Sequence, residues 1–278
     1  TLVEMLDQVM APLDFEMAQL LHENMWQNGV DLRLGDGVST FENKENSVVI
    51  HLSSGNAVES DLVILSIGVR PNSLLAKEAG LELNARGGVI VDDTLKTSDP
   101  SIYAVGDMIE VEDFISKERA MIPLAGPASK QGRIVADNIA GASQVYKGSQ
   151  GTSVAQVFDL TAASTGANEK ALIRQGLVKG KDYETLIINQ NSHATYYPGA
   201  TPMRLKMLFS MDGKKIYGAQ IVGIDGVDKR IDTLATAIRL NASVDDLKYL
   251  ELAYAPPYSS AKDPVNMAGF VAENVLNG

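Results

Sequence analysis

Four groups of residues have the types and spacing to do chemistry. The first is Asp107, at the end of TSDPSIYAVGD, residues 97–107. Thr97-Ser98-Asp99-Pro100 is turn chemistry, and Pro100 disfavours a helical Asp99. Residues 102–105 then read as a buried strand. Gly106 lets another group approach the backbone. Asp107 falls at the carboxyl end of that strand, where open α/β sheets place their ligands. A carboxylate there accepts hydrogen bonds from the hydroxyls of a sugar or a ribityl chain; it serves equally well to cap the following turn. The second group is the helix start at Gly126-Pro127. Helix N-termini carry free N–H groups and a partial positive charge. Such a terminus suits a ring that gains negative charge on reduction, as flavin does, although an ordinary helix start reads the same. The third is Glu4, ending the first strand. An acid at the end of the second strand of a dinucleotide-binding unit holds the adenosine ribose hydroxyls. The glycine fingerprint would precede Thr1, and a solvated glutamate fits as well. The fourth is tyrosine: Tyr196 and Tyr197 in HATYYPGA, Tyr254 and Tyr258 in AYAPPYSSAKDP. Phenols with a pKa of about 10 donate hydrogen bonds to a thiolate or an oxyanion. Pro256 and Pro257 restrict the second pair. At least two of the four read as half-buried packing.

These residues need elements to position them. TLVE reads as a strand. Asp14 is placed to cap a helix whose apolar stripe is Phe15, Ala18, Leu21 and Met25, with Gly29 as its stop. VDLRL is a strand, and VSTFE, SVVIHL and the turn SSGN form a hairpin. DLVILSIG, residues 61–68, is an almost continuous apolar run, the pattern of a strand buried on both faces. A short helix over 74–79, a strand over 87–93 and a charge-alternating linker over 110–119 follow. A helix over 127–139 stops at Gly141. GSQGT, near 148–152, marks a domain boundary. Beyond it VAQVFDLTAAST reads as one strand and NEKALIRQ as a helix. YETLIIN, PMRLKMLFS and KIYGAQIVG are strands, with Asp212-Gly213 as a hairpin turn. VDKRIDTLATAIRL, VDDLKYL and VNMAGFVAENVL are helices, so the last segment reads as a two-layer α+β domain.

The chain of 278 residues has a net charge of −11, which argues against nucleic acid or an anionic membrane as partner. No apolar run approaches the length of a membrane span, and no signal peptide is visible, so the expected compartment is the cytoplasm. Cysteine is absent, which removes disulfides, zinc–thiolate sites and thiol catalysis from these residues. His22, His51 and His193 lack metal-type spacing, so no metal site is expected. The strand-like TLVE has no start signal before it, which leads to the expectation that the chain is a piece of a longer protein.

Taken in order, TLVEMLDQVM, DLVILSIGVRPN, TSDPSIYAVGD, IPLAGPASKQGR, SHATYYPGA and AYAPPYSSAKDPVN resemble the flavin-dependent pyridine nucleotide–disulfide oxidoreductases. The subgroup most similar is that of coenzyme A disulfide reductases and NADH-dependent persulfide reductases, some of which carry an appended rhodanese domain. The resemblance covers the whole chain but corresponds to the C-terminal half of such enzymes. It implies α/β partial dinucleotide-binding domains of FAD/NAD-binding type followed by an α+β dimerisation domain. Residues 1–70 would be the later part of the NAD-binding domain, 71–150 the returning segment of the FAD-binding domain, and 151–278 the dimerisation domain. It further implies that Asp107, beside Gly106, binds the FAD ribityl chain. Leu124, Ala125 and Gly126 would lie near the isoalloxazine ring. Glu4 would bind the NAD(P)H ribose, and Gly68 would approach the nicotinamide cofactor through its backbone. Tyr196 and Tyr254 would reach across a homodimer toward the partner's active-site sulfur. The substrate implied is a coenzyme A disulfide or a persulfide. The family's glycine fingerprints and redox cysteine are not among these residues, so the chain alone is expected not to reduce a disulfide. An NADH oxidase or peroxidase of the same family is the alternative; for the isolated chain, so is a non-catalytic dimerisation module.

Overall fold

The computed structural model describes all of residues 1–278. They pack into two compact units, residues 67–153 on the one hand and residues 1–66 with 154–278 on the other.

The larger unit opens with β1 (Leu2–Glu4), α1 (Phe15–Gln27) and β2 (Leu32–Leu34). β1 and β2 pair in parallel, Leu2 opposite Leu32, and α1 is the crossover that a parallel pair requires. Met17, Ala18, Leu21 and Met25 are buried on its inner face, whereas Phe15 is exposed. Phe15 lies six residues from Leu21, roughly 120° around the helix, and misses the stripe. Asp14 occupies the N-cap position, but its side chain does not cap the helix. It is drawn instead into a buried ion cluster described below. β3 (Val38–Asn43), β4 (Val48–Leu52) and β5 (Ala57–Ser60) form the expected antiparallel meander.

The run DLVILSIG is not a buried strand. No strand pairs with it, and Leu62, Ile64, Leu65 and Ile67 are all largely exposed, Ile67 to 89%. An apolar run becomes a strand only where a neighbour supplies backbone partners, and none of these residues does so.

The smaller unit holds α2 (Leu74–Glu78), β6 (Val89–Ile90), β7 (Ile109–Glu112), β8 (Arg119–Ala120) and α3 (Ala125–Ile139). The expected strand over 102–105 is also absent. These residues make one bridge, Lys96 with Tyr103, and are folded back by the TSDP turn, in which Ile102 N–H donates to Asp99 O at 3.0 Å. The strand lies farther on: β7 runs parallel to β6 through the supposed charged linker. Alternation of charge hid it, because Ile109 and Val111 point inward while Glu110 and Glu112 point outward. α3 starts two residues before Pro127, which then sits in a first turn where its missing N–H costs nothing.

The remainder of the larger unit comprises β9 (Ser153–Val157), β10 (Leu160–Gly166), α4 (Glu169–Arg174), β11 (Tyr183–Asn191), β12 (Pro202–Ser210), β13 (Ile216–Gly223), α5 (Val227–Arg239), α6 (Val244–Tyr249) and α7 (Pro264–Asn277). The sheet order is β11-β12-β13-β10-β9. The single strand expected at VAQVFDLTAAST is a hairpin, turned at Phe158-Asp159 with Phe158 at φ 53°. No glycine marks that turn, so the usual hairpin signal is missing. α6 and α7 cross at backbone contact: a Cβ on Gly269 would stand 2.9 Å from Val244 O.

Strand alternation gives β12 and β13 two buried faces. α5 and α7 pack on one of them. On the other, Val222 and Ala162 join the α1 cluster, and Lys206 stands opposite Gln220. Lys206 is 0% exposed. Its ammonium contacts Asp14 at 2.8 Å, Glu16 at 2.5 Å and Glu169 at 2.5 Å. Asp14 also accepts from Gln220 Nε2 at 2.7 Å and from Glu169 N–H at 3.0 Å. Tyr183 donates to Glu169; burial first, then the Glu169 charge, push its phenol up to about 12. The cluster ties α1 to β12 and α4, and it satisfies charges that burial would otherwise make costly.

Candidate functional site

Within residues 67–153 a cleft of about 1220 Å³ is lined by Val69, Pro71, Asp107, Met121, Pro123 and Ala125, among others. Asp107 sits on a single 3₁₀ turn, Gly106–Met108, rather than at a strand end. Gly106 has φ 82°, a left-handed conformation that favours glycine. Its N–H donates to Gln131 Oε1 at 2.7 Å. Gln131 is buried on α3, so the helix sets the backbone that carries Asp107. The sequence reading missed Gln131; a polar residue on the inner side of the helix in ASKQGR was the available signal. The Asp107 carboxylate is exposed to the cleft.

α3 presents its N-terminus to the same cleft through Ala125. Leu124 is the N-cap, no side chain caps the helix, and its first turn has no acid. Gly126 follows in that turn, and a Cβ there would meet nothing within 4 Å. Arg70 and Arg86 also line the cleft and bring positive charge to a chain whose net charge is −11. The arrangement offers free N–H donors at one side and a carboxylate acceptor at another. It fits a planar ring that gains negative charge and bears a polyhydroxyl chain. Gly68, at φ 90°, lies at the start of this unit.

In the larger unit Glu4 ends β1. Its Oε1 accepts from Leu6 N–H at 2.9 Å, closing the turn after the strand. The other carboxylate oxygen has no such partner in that turn.

The tyrosines sit on two loops of the larger unit, one joining β11 to β12 and one joining α6 to α7. Tyr196 and Tyr254 meet with their hydroxyls 2.6 Å apart. They are 73% and 48% exposed. Tyr197 turns away and packs edge-on against His193, with ring centroids 5.8 Å apart. Tyr258 is exposed and makes no such pairing. The structure thus brings one tyrosine from each loop together and leaves the other two aside. The hydrogen bond with Tyr254, then partial burial, raise the Tyr196 pKa above that of an ordinary phenol. Tyr196 therefore keeps its proton near pH 7, and one O–H of the hydrogen-bonded pair remains free to point at an incoming anion.

No cluster of three metal-holding His, Asp or Glu side chains occurs, and no helix is long and apolar enough to cross a membrane.

The chain resembles known proteins over nearly its whole length. The chain is 35% identical over 262 residues to a coenzyme A disulfide reductase of Staphylococcus epidermidis, covering 94% of this chain and 58% of the relative. Among solved structures it resembles reduced CoADR-RHD of Bacillus anthracis, with TM-score 0.94 and 54% identity over 99% of this chain and 49% of that one. It also resembles an NAD-dependent persulfide reductase of A. fulgidus, with TM-score 0.94 and 39% identity over 99% and 51% of the two chains. The chain thus spans about half to three-fifths of the length of these relatives. Residues 1–132 match the pyridine nucleotide-disulphide oxidoreductase model and residues 152–264 match the dimerisation domain of the same family. By these matches, which together take in both units, the chain belongs to the pyridine nucleotide-disulphide oxidoreductase family.

Proposed function

We propose that these residues are the cofactor-holding and dimerising part of a flavoprotein that passes electrons from NAD(P)H through FAD to a coenzyme A disulfide or a persulfide. The observation that carries the reading is the Tyr196–Tyr254 pair, two exposed phenol hydroxyls 2.6 Å apart on two different loops. Such a pair donates hydrogen bonds to a sulfur anion as charge develops on it.

Asp107 accepts hydrogen bonds from the ribityl hydroxyls, on a turn held by Gly106 and Gln131. Leu124, Ala125 and Gly126 bring the α3 N-terminus to the flavin ring, where its N–H groups favour negative charge. Glu4 holds the NAD(P)H ribose with the oxygen its turn leaves free, and Gly68 gives the nicotinamide close access to the backbone. Accepting hydride and handing electrons on is chemistry that bound FAD supplies. The sulfur that exchanges with substrate comes from outside these residues, which contain no cysteine. Residues 151–278 form the homodimer, across which Tyr196 and Tyr254 serve the partner's sulfur site. The compartment is the cytoplasm.

The test of the cofactor site is a flavin titration of the complete protein followed by desalting. The parent protein keeps its visible flavin band. Asp107→Asn removes charge-assisted hydrogen bonds worth about 1.5–3 kcal/mol each, and so weakens FAD binding by about 10–100-fold. A variant that binds FAD as tightly as the parent protein contradicts the assignment of Asp107.

A further inference from the structure

We propose that Arg230 is a positioning residue for the Tyr196–Tyr254 pair: its buried guanidinium holds both tyrosine loops in register. This rests on the reading of the pair as donors to a sulfur anion.

Arg230 is 1% exposed, yet it lies on the apolar face of α5 with Val227, Ile231 and Leu234. A buried cation on such a face has to be accounted for, because it is tolerated only when its donors are satisfied. Its partners come from both loops. Nη2 donates to Ser192 O at 2.8 Å, where the Tyr196 loop begins. The same nitrogen donates to Ser259 Oγ at 3.3 Å and Asp263 Oδ2 at 3.0 Å, where the Tyr254 loop ends. Nε reaches Asp263 Oδ2 at 3.2 Å, and Nη1 donates to Gly226 O at 3.1 Å. Asp263 is held in turn: Oδ2 accepts from Ser259 Oγ at 2.6 Å, and Oδ1 accepts from Val265 N–H at 3.0 Å at the start of α7.

The loops touch directly where Ala194 N–H donates to Ser259 O at 3.0 Å. At their tips the two phenol hydroxyls meet, 2.6 Å apart. Arg230 therefore fixes the bases of two loops whose tips must match to within a fraction of an ångström. Glycine at 226 is part of the arrangement. It has φ 70°, and a Cβ there would overlap Arg230 Nη1. Arg230 and Asp263 neutralise one another, so the fork acts on the phenols through position rather than through a net field. Lysine cannot replace it, because an ammonium is a point charge without a planar fork.

The experiment uses the complete protein and two readouts. One is turnover with the disulfide or persulfide, for Arg230→Lys in the parent background and in the Tyr196→Phe/Tyr254→Phe background. The other is the ¹⁹F resonance of fluorotyrosine at position 196, titrated with base. Arg230→Lys is expected to lower turnover by about 10–100-fold in the parent background. In the double-phenylalanine background it is expected to lower it no further, since the groups it aligns are gone. The fluorotyrosine midpoint is expected to fall toward that of an unpaired fluorotyrosine as Tyr254 moves out of line. An equal loss in both backgrounds, or an unmoved resonance and midpoint, overturns the proposal. If the double phenylalanine variant turns over normally, the donor reading fails, and the resonance alone decides whether Arg230 positions the pair. Should Arg230→Lys not fold, Arg230→Met/Asp263→Asn removes both charges, keeps a capping side chain on α7, and carries the same two readouts.

Discussion

Tyr196→Phe/Tyr254→Phe in the complete protein is expected to lower turnover of the disulfide or persulfide by about 10²–10³-fold, the range for loss of a donor to a developing anion. The double change should cost little more than the worse single change. The hydroxyls are 2.6 Å apart and act as a unit, and effects within a unit do not add. Tyr197→Phe and Tyr258→Phe should leave turnover near the parent value, because neither hydroxyl joins the pair. The pH dependence has a definite sign. The Tyr196 pKa is raised above the ordinary phenol value of 10.0, so its donor is present at all lower pH. The tyrosine-dependent part of the rate should be flat through the neutral range and fall only above that value. Steady-state rates for these five variants against pH check this, and a tyrosine-dependent fall near neutrality contradicts it.

Lys206→Met is expected to produce the largest loss of stability, about 3 kcal/mol. Removing the ammonium leaves Asp14 and Glu169 facing one another with no cation between them. Glu16 is the most exposed of the three acids and can turn to water, which keeps the cost at the lower end of the range for broken buried pairs. The pH sign follows from the shifts in the parent chain. Burial pushes the Glu169 pKa up, but the Lys206 hydrogen bond and charge, with Lys179, outweigh it and leave it below its ordinary 4.5. A depressed carboxylate stabilises above its unfolded value and loses that stabilisation as pH falls through the folded one. For Lys206, burial lowers the pKa, and the hydrogen bonds it donates to Asp14, Glu16 and Glu169 more than reverse this, so it lies above 10.5. Its contribution is complete below 10.5 and is lost as pH rises through the folded value. The cluster is therefore at full strength between these limits. Urea unfolding at pH 7.5 and at pH 4 should show the cost of Lys206→Met shrinking at the lower pH, where the stranded carboxylates take up protons. An equal cost at both pH values contradicts the account.

Much of this arrangement was legible in the residue pattern. The antiparallel sheet of the last segment and α5, α6 and α7 followed from alternation and helical spacing, because each element buries a face against another among these residues. TSDPSIYAVGD and the two tyrosine loops stood out through proline and glycine, which restrict the backbone locally. The failures share a cause in tertiary context. DLVILSIG has the composition of a central strand, but pairing is a property of neighbours and not of the run itself. The strand at 109–112 was hidden because glutamates occupy its outward positions. Asp14 stands at a cap position, but the stronger attraction of Lys206 takes its side chain. Gln131 and Arg230 were missed for a related reason. Each is a single polar residue on an inward helix face, and its partner is distant in sequence. Nothing local separates Tyr196 from Tyr197; only the family resemblance singled out Tyr196 and Tyr254, the two whose hydroxyls meet in the fold.

The measurement that tests the central claim most directly is anaerobic NAD(P)H oxidation by the FAD-loaded complete protein, with coenzyme A disulfide or a persulfide as acceptor and released thiol counted. The account predicts that thiol appears in step with NAD(P)H consumed, and that the Tyr196→Phe/Tyr254→Phe variant releases it far more slowly. Oxidation of NAD(P)H that requires oxygen or peroxide, with no thiol released, would contradict the account and place the protein with the oxidases and peroxidases of its family.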